Sequence, residues 1–349
     1  MTVRRLIFML AAVLLLTVPV RAADAALPEG LTEAAEESGA LAGGASWLWE
    51  TVRGAAGDAL RAGARNAALL TLAALICGAG EALAAGAGEL PARYVPFCGV
   101  LSVAALATGD LRSLIGLGAE TLEELSAFAK LLLPTLSAAM AAGGFVSTAG
   151  VWQVTTLLVC DLLTDAADRL LLPMVYCFIA AAAAGALLDE ERLDLLAEGL
   201  GKLISGVLVA GTAAFTGYLS VAGVLTGSAD RMAVKAAKLA VSGAIPVVGG
   251  VLSDAAEGVL AAAGTARSTV GVLGVFALLS LCVAPLLRLG AQFLLYKLAA
   301  FVAGLAGTKA VGQFLDRLGE AFALVFAMTA ACATVLLVAL LVATRMVTG

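Results

Sequence analysis

The chain has 349 residues, of which 62% are hydrophobic and only 13% charged, and its formal net charge is −5. Soluble domains are about half apolar and a quarter charged, so this chain has too few polar residues to cover a water-soluble surface. The absence of histidine excludes serine–histidine and cysteine–histidine catalytic sites and every metal or haem site with a histidine ligand. No basic cluster has the size that nucleic-acid binding requires. We therefore expect a protein whose solvent is the lipid bilayer and which binds no nucleic acid.

The cysteines all lie within apolar stretches, and no two of them form a Cys-x-x-Cys pair. The reactive thiolate is disfavoured in apolar surroundings, so such residues behave as small packing side chains. We expect no disulfide and no redox role for these six residues: Cys77, Cys98, Cys160, Cys177, Cys282 and Cys332.

Residues 1–22 have the pattern of a secretory signal peptide. Arg4 and Arg5 precede an apolar stretch from Leu6 to Val20, and Ala22 is a small residue at the usual cleavage position. The apolar stretch is too short to span a bilayer comfortably. The sequence therefore predicts cleavage, which would place residue 23 outside the cytoplasm.

Residues 23–65 differ from the rest of the chain because glutamates precede arginines there, with Trp47 and Trp49 between them. Paired tryptophans are typical of segments at the membrane–water interface. We interpret this part as an extracytoplasmic or interfacial N-terminal segment. The alternative is a solvated, partly disordered leader.

Residues 66–349 are dominated by long stretches without charge. Stretches of about 20 apolar residues span a bilayer as helices, because their backbone groups must be satisfied internally. The stretches are 66–80, 94–109, 131–160, 170–188, 203–229, 268–287 and 321–344, and 290–307 contains only one charge. The sequence predicts an all-α polytopic membrane bundle with about six to eight transmembrane helices.

Small residues and prolines within these stretches indicate close packing. Gly206, Ala210 and Ala214 follow one another every four residues, which lets neighbouring helices approach closely. Prolines inside apolar stretches are interpreted as packing kinks; they are Pro134, Pro173 and Pro285.

One acidic cluster, Asp161, Asp165 and Asp168, lies next to an apolar stretch and is followed by Arg169. The spacing puts the three carboxylates on one face of a helix. An intramembrane aspartyl protease would need two acids on separate helices, so we interpret the cluster as a solvated loop. With no phosphate-binding loop and no nucleophile motif, the sequence predicts a protein that is not an enzyme and has no cofactor and no metal.

Residues 229–267 predict an amphipathic helical hairpin. Three basic residues on the first arm are separated by four and three positions, Pro and paired Gly then break the helix, and two acids share a face of the second arm. A hairpin that is re-entrant or lies at the interface fits better than a surface loop, because the charges are sparse. The candidate interaction residues are Arg231, Lys235, Lys238, Pro246, Gly249, Gly250, Asp254 and Glu257.

This region resembles the stage III sporulation protein AE family, most strongly over residues 225–320. The residues that carry the resemblance are Ala233-Val-Lys-Ala-Ala-Lys238, Ile245-Pro-Val-Val-Gly-Gly250, Leu252-Ser-Asp-Ala255, Thr269-Val-Gly-Val-Leu-Gly274 and Leu295-Tyr-Lys-Leu-Ala-Ala300. The signal-like N-terminus and the final apolar helix are similar to the family's layout as well.

The resemblance implies a membrane component of endospore-forming bacteria. A member of this family would be a multi-pass protein of the mother-cell membrane surrounding the forespore, within a secretion-like complex that joins the two cells. The implied partners are other membrane proteins of the stage III sporulation complex, including an ATPase, and the lipid bilayer.

Three hypotheses about function follow from the sequence. The leading hypothesis is a platform for assembling a transmembrane channel or secretion complex. The second is an autonomous small-solute transporter, which paired broken helices in two halves of the structure would favour. The weakest is an intramembrane protease built on Asp161.

Overall fold

The computed structural model describes the backbone of residues 40–84, 89–142, 145–188, 190–244 and 249–345, and the side chains of 49–84, 94–142, 145–188, 190, 192–218 and 274–343. The predicted signal peptide and Pro246 lie outside the described residues, as do the other side chains of the predicted hairpin.

Every regular element of the described chain is helical, which confirms the predicted fold class. The elements are α1 (Ala40–Ala84), α2 (Glu89–Ala142), α3 (Val146–Ala166), a π-helical turn (Ala167–Leu171), α4 (Leu172–Leu188), α5 (Glu191–Ala244), α6 (Gly249–Leu305) and α7 (Lys309–Arg345).

Five helices among the described residues are long and apolar enough to cross a membrane, by length and composition. They are Trp49–Ala84, Tyr94–Ala142, Val146–Leu188, Gly274–Leu305 and Lys309–Ala343. The count is lower than the six to eight that the sequence predicts. Part of the difference arises because the predicted stretch 203–229 lies in α5, and the side chains of this stretch are described only as far as Tyr218.

The rest of the difference arises because the ends of the apolar stretches and the ends of the helices do not coincide. The predicted stretch 131–160 is divided between the end of α2 and the start of α3. From there, α3, the π-helical turn and α4 form one continuous rod, Val146–Leu188. The stretch 290–307, considered as a separate span, is the end of α6.

The helices are much longer than a bilayer is thick. The 54 residues of α2 extend over about 80 Å, against about 30 Å for the hydrocarbon core of a bilayer. Among the described side chains, two hydrophobic cores lie one after the other along the bundle. The first core, which includes Leu70, Val103 and Phe314, joins α1, α2, α6 and α7. The second core, which includes Trp152 and Leu208, joins α3, α4 and α5 to α2, α6 and α7.

Specific contacts hold these cores together. In the first core, Tyr296 packs edge-to-face on Phe322 with 4.9 Å between ring centroids, a favoured aromatic geometry. In the second core, the indole of buried Trp152 donates a hydrogen bond to the carbonyl of Ala339 at 3.0 Å. The bonded ends are 187 positions apart in sequence, so this contact ties α3 to α7.

Close helix packing uses other small residues than predicted. The helix face that contains Gly206, Ala210 and Ala214 is exposed. Helix α5 packs on the bundle through its opposite face, where the buried residues are Ala197, Ile204, Leu208 and Phe215. Gly78 is where helices do meet closely, since a Cβ there would lie 2.7 Å from the carbonyl oxygen of Ala306.

The π-helical turn has a cause in the sequence. Pro173 lacks a backbone N–H and therefore cannot complete the hydrogen bond to the carbonyl four residues earlier, at Arg169. The irregular turn Ala167–Leu171 ends two residues before Pro173. Widened turns of this kind relieve such a defect without ending the helix. Pro134 and Pro285 lie inside continuous helices.

Candidate functional site: a polar belt and an acidic groove

The predicted hairpin has its break at the expected place. Helix α5 ends at Ala244 and α6 begins at Gly249, so Gly249 and Gly250 start the second arm. The arms are direct continuations of the two long helices rather than short separate ones. Because the side chains of Arg231, Lys235, Lys238, Asp254 and Glu257 lie outside the described residues, their interactions stay a prediction.

A first polar cluster is centred on Asp110 of α2. The amide of Asn66 on α1 donates to one carboxylate oxygen, and Gln292 and Tyr296 on α6 donate to the other at 2.9 Å and 3.0 Å. Tyr296 is fully buried and Gln292 is 5% exposed. A carboxylate that accepts three hydrogen bonds satisfies its own lone pairs and the buried donors together. Asp110 thus links α1, α2 and α6.

An open cleft of about 760 Å³ between α1, α2 and α6 begins at this cluster. Its walls combine small residues with charged ones, and three acids face one base. The charged and small residues include Gly63, Asp110, Gly116, Glu120, Glu123 and Arg288. A cleft of this size has the volume of a small-molecule site, and we name it the α1–α2 cleft.

A second polar cluster lies at the same end of the bundle. Lys297 of α6 donates to Asp316 of α7 and lies 3.9 Å from Glu320, while Arg317 pairs with Glu320 at 3.0 Å. Arg317 also approaches Asp194 of α5 at 3.9 Å. The side chains of Lys297 and Glu320 are about four-fifths buried. These contacts and those of Asp110 form a polar belt inside the bundle.

The acids Asp161 and Asp165 lie in α3 and not in the loop that the sequence predicts. They line a groove of about 730 Å³ between α2 and α3, together with Glu123 and Lys130 of α2. Lys130 pairs with Asp161 at 2.9 Å, and both side chains are at least half exposed. We name this feature the acidic groove. Glu123 lines both the groove and the α1–α2 cleft.

Sequence reasoning missed the polar belt. Asn66 and Asp110 each lie at one end of a charge-free stretch, where a polar residue is expected simply because the stretch ends. Only the packing of α1 against α2 reveals that the two ends meet. No group of three potential acidic or cysteine metal ligands converges within the described part of the chain.

Comparison with known proteins identifies related sequences. The model of the stage III sporulation protein AE family matches residues 92–347. Stage III sporulation protein AE of Bacillus subtilis (strain 168) is 24% identical over 222 residues, which is 64% of this chain and 56% of the relative. The matched part therefore spans little more than half of the relative's length. No solved structure matches the chain.

Proposed function

Since the chain belongs to the stage III sporulation protein AE family, we propose that it is a non-enzymatic, multi-pass component of a sporulation-specific channel or secretion-like complex. In this proposal it lies in the mother-cell membrane surrounding the forespore and is needed for forespore development after engulfment. Its partners are other membrane proteins of the stage III complex and an ATPase.

The observation that supports the proposal is that charged residues inside the bundle have partners in the same chain, whereas several on its surface have none among the described side chains. Inside the bundle, Asp110 and Lys297 are matched by partners of the same chain. On the outside of α2, Glu120, Glu123 and Glu124 are exposed, and no ion pair joins them to a base among the described side chains. Charge on otherwise apolar helices is costly unless another group compensates it. Exposed, uncompensated acids support a surface on which other proteins assemble.

The experiment that tests the proposal reverses the basic stripe of the hairpin. Lys235→Glu with Lys238→Glu, introduced in an endospore former, changes charge without changing the apolar stretches. We expect normal amounts of inserted protein, loss of partner proteins from the purified complex, and arrest after engulfment. Sporulation at the parental level would contradict an assembly role for the hairpin.

Two further variants interpret that result. Lys202→Glu is the matched control, because Lys202 is an exposed lysine of the same helix that pairs only locally, with Glu198 at 2.8 Å. It should sporulate normally. Adding Asp254→Lys and Glu257→Lys to the double reversal tests pairing within the hairpin, since restored sporulation would mean that the two arms bind each other.

The α1–α2 cleft favours a second candidate function, an autonomous small-solute transporter. A transporter of the inverted-repeat type would contain corresponding helix breaks in its two halves. Among the described residues the π-helical turn at Ala167–Leu171 is an irregularity without such a counterpart. Gly116→Phe separates the two functions, because a Cβ at Gly116 meets nothing within 4 Å and the ring would fill the cleft. A transporter would lose function, whereas the platform would sporulate normally.

A further inference from the structure

Arg288 is a base without a partner near the middle of an apolar helix. It lines the α1–α2 cleft and forms no hydrogen bond or ion pair with any side chain that the structure describes. The helix segment Gly274–Leu305 has 32 residues, and any stretch of about 20 of them, the length that crosses a bilayer, includes Arg288. A guanidinium at this depth is costly unless another group compensates its charge.

Acids line the same cleft, but none of them pairs with Arg288. Asp110 is already satisfied by its three hydrogen bonds. Glu120 and, one turn further along α2, Glu123 are exposed and form no ion pair with a described base. A base and an acid in a low-dielectric site stabilise each other strongly where they touch. The cleft instead keeps a positive and a negative charge apart.

The separation of these charges follows from the packing of α2 on α6, which are antiparallel. Gln292 of α6 bonds to Asp110 of α2. Arg288 lies about 6 Å from Gln292 along α6, and Glu120 lies about 15 Å from Asp110 along α2. Their backbones are therefore offset by about 9 Å along the bundle.

The space between the two charges is open and contains a further hydrogen-bond donor. A Cβ at Gly116, which lies between Asp110 and Glu120 on α2, would meet nothing within 4 Å. Ser113 lines the same wall, and its hydroxyl has no partner among the described residues. A guanidinium with a hydroxyl at the same level suits a phosphate, which has several acceptor oxygens.

We propose that the α1–α2 cleft binds a small zwitterion that consists of a phosphate and an ammonium group, as in ethanolamine phosphate. The phosphate accepts hydrogen bonds from Arg288 and Ser113, and the ammonium pairs with Glu120. The same chemistry occurs in a free solute and in the headgroup of a phospholipid. This site goes beyond the proposed assembly function, which does not require it.

The test measures binding of radiolabelled ethanolamine phosphate to the full chain in phosphatidylglycerol nanodiscs, with empty nanodiscs as the blank. We expect saturable binding. Unlabelled ethanolamine phosphate should compete at least tenfold better than ethanolamine or inorganic phosphate, since each of these carries only one of the two charges. Absence of saturable binding, or equal competition by either half of the molecule, would overturn the proposal.

Two variants assign the charges. Arg288→Gln should weaken binding at least tenfold and make ethanolamine as good a competitor as ethanolamine phosphate. Glu120→Gln should do the same for inorganic phosphate. These opposite changes in selectivity distinguish a lost contact from a misfolded chain. Arg169→Gln and Glu124→Gln are the matched controls, at exposed positions that do not line the cleft, and they should bind like the parent. Parental affinity and selectivity in either cleft variant would overturn the proposal.

A bulky side chain tests the location. Gly116→Phe should abolish binding because its ring fills the cleft, whereas Gly150→Phe should not. A Cβ at Gly150 also meets nothing within 4 Å, but this residue lies on α3, away from the cleft. Unchanged binding by Gly116→Phe would place the ligand elsewhere and overturn the proposal.

Nanodiscs that contain phosphatidylethanolamine identify the source of the ligand. If the cleft holds the lipid headgroup, the lipid competes and the affinity for free ethanolamine phosphate falls at least tenfold. If the cleft holds a free solute, the affinity is the same as in phosphatidylglycerol. Either result supports the site, provided that Gly116→Phe removes the binding in phosphatidylglycerol.

Discussion

Asp110 and Asp161 are both carboxylates in long apolar helices, but their surroundings differ in burial and in the charge of their partners. Asp110 accepts hydrogen bonds from three neutral side chains of two other helices, two of them buried. Asp161 lies at the surface of a groove, where it accepts a hydrogen bond from Ser126 at 3.1 Å and pairs with Lys130, which is 57% exposed. Polar contacts enclosed by the bundle set helix positions, whereas exposed ones remain available to other molecules. The polar belt should therefore control stability, and the exposed acids of α2 should control association.

The largest effect on stability is expected at the centre of the belt. Asp110→Ala removes the acceptor for Asn66, Gln292 and Tyr296, and it leaves two buried donors unsatisfied. We expect a loss of about 2–4 kcal/mol in the free energy of unfolding, measured by reversible unfolding in detergent. Asp58→Ala, at an exposed position, is the control and should change it by less than about 0.5 kcal/mol. Equal losses would remove the distinction between the belt and the surface.

Breaking the ion pair of the belt should cost slightly less. Lys297→Met leaves Asp316 without its base, and we expect a loss of about 2 kcal/mol, less than for a fully buried pair because Asp316 is 38% exposed. Adding Asp316→Leu removes the uncompensated charge and should recover more than half of the loss. A double variant no more stable than Lys297→Met would show that the pair is not coupled.

A packing comparison comes next in size. Gly78→Ala places a Cβ 2.7 Å from a backbone oxygen of Ala306, so α1 must move away from α6 at a cost of about 1–2 kcal/mol. Gly109→Ala is the matched change, because a Cβ there meets nothing within 4 Å. It should be neutral or stabilise the helix by up to about 1 kcal/mol. Thermal unfolding of both variants measures the difference, and the opposite order would contradict the packing of α1 on α6.

The smallest effect on stability is expected in the groove. Lys130→Ala removes an exposed ion pair with Asp161, so the free energy of unfolding should change by less than about 1 kcal/mol. The same unfolding measurement checks it. A loss as large as that of Asp110→Ala would mean that the groove belongs to the internal framework and is not free for a partner.

Composition was sufficient to predict an all-helical membrane bundle, because few other folds are available to a chain with so few polar residues. The Pro and Gly residues at 245–250 were sufficient to place the break between α5 and α6, since a proline followed closely by paired glycines favours a helix end. The residues on either side of this break also carry the resemblance to the stage III sporulation protein AE family, which the family model confirms.

Contacts between distant helices were not predictable in the same way. The hydrogen bond from Tyr296 joins residues 186 positions apart, and no local pattern encodes that pairing. Asp161 and Asp165 were interpreted as part of a loop because charge ends an apolar stretch, yet helical backbone hydrogen bonding continues through them. The stripe at Gly206 was predicted to pack, but its period does not reveal which face of α5 meets the core.

An assembly role for the exposed acids is tested most directly by the amount of stage III partner proteins that co-purifies with each mole of folded chain from sporulating cells. The comparison is between the parent and the variant Glu123→Gln with Glu124→Gln. We expect at least a tenfold fall in recovered partners while the thermal midpoint of the chain stays within about 2 °C of the parent. Recovery of partners at the parental level would contradict it, because the exposed acids would then have no part in assembly.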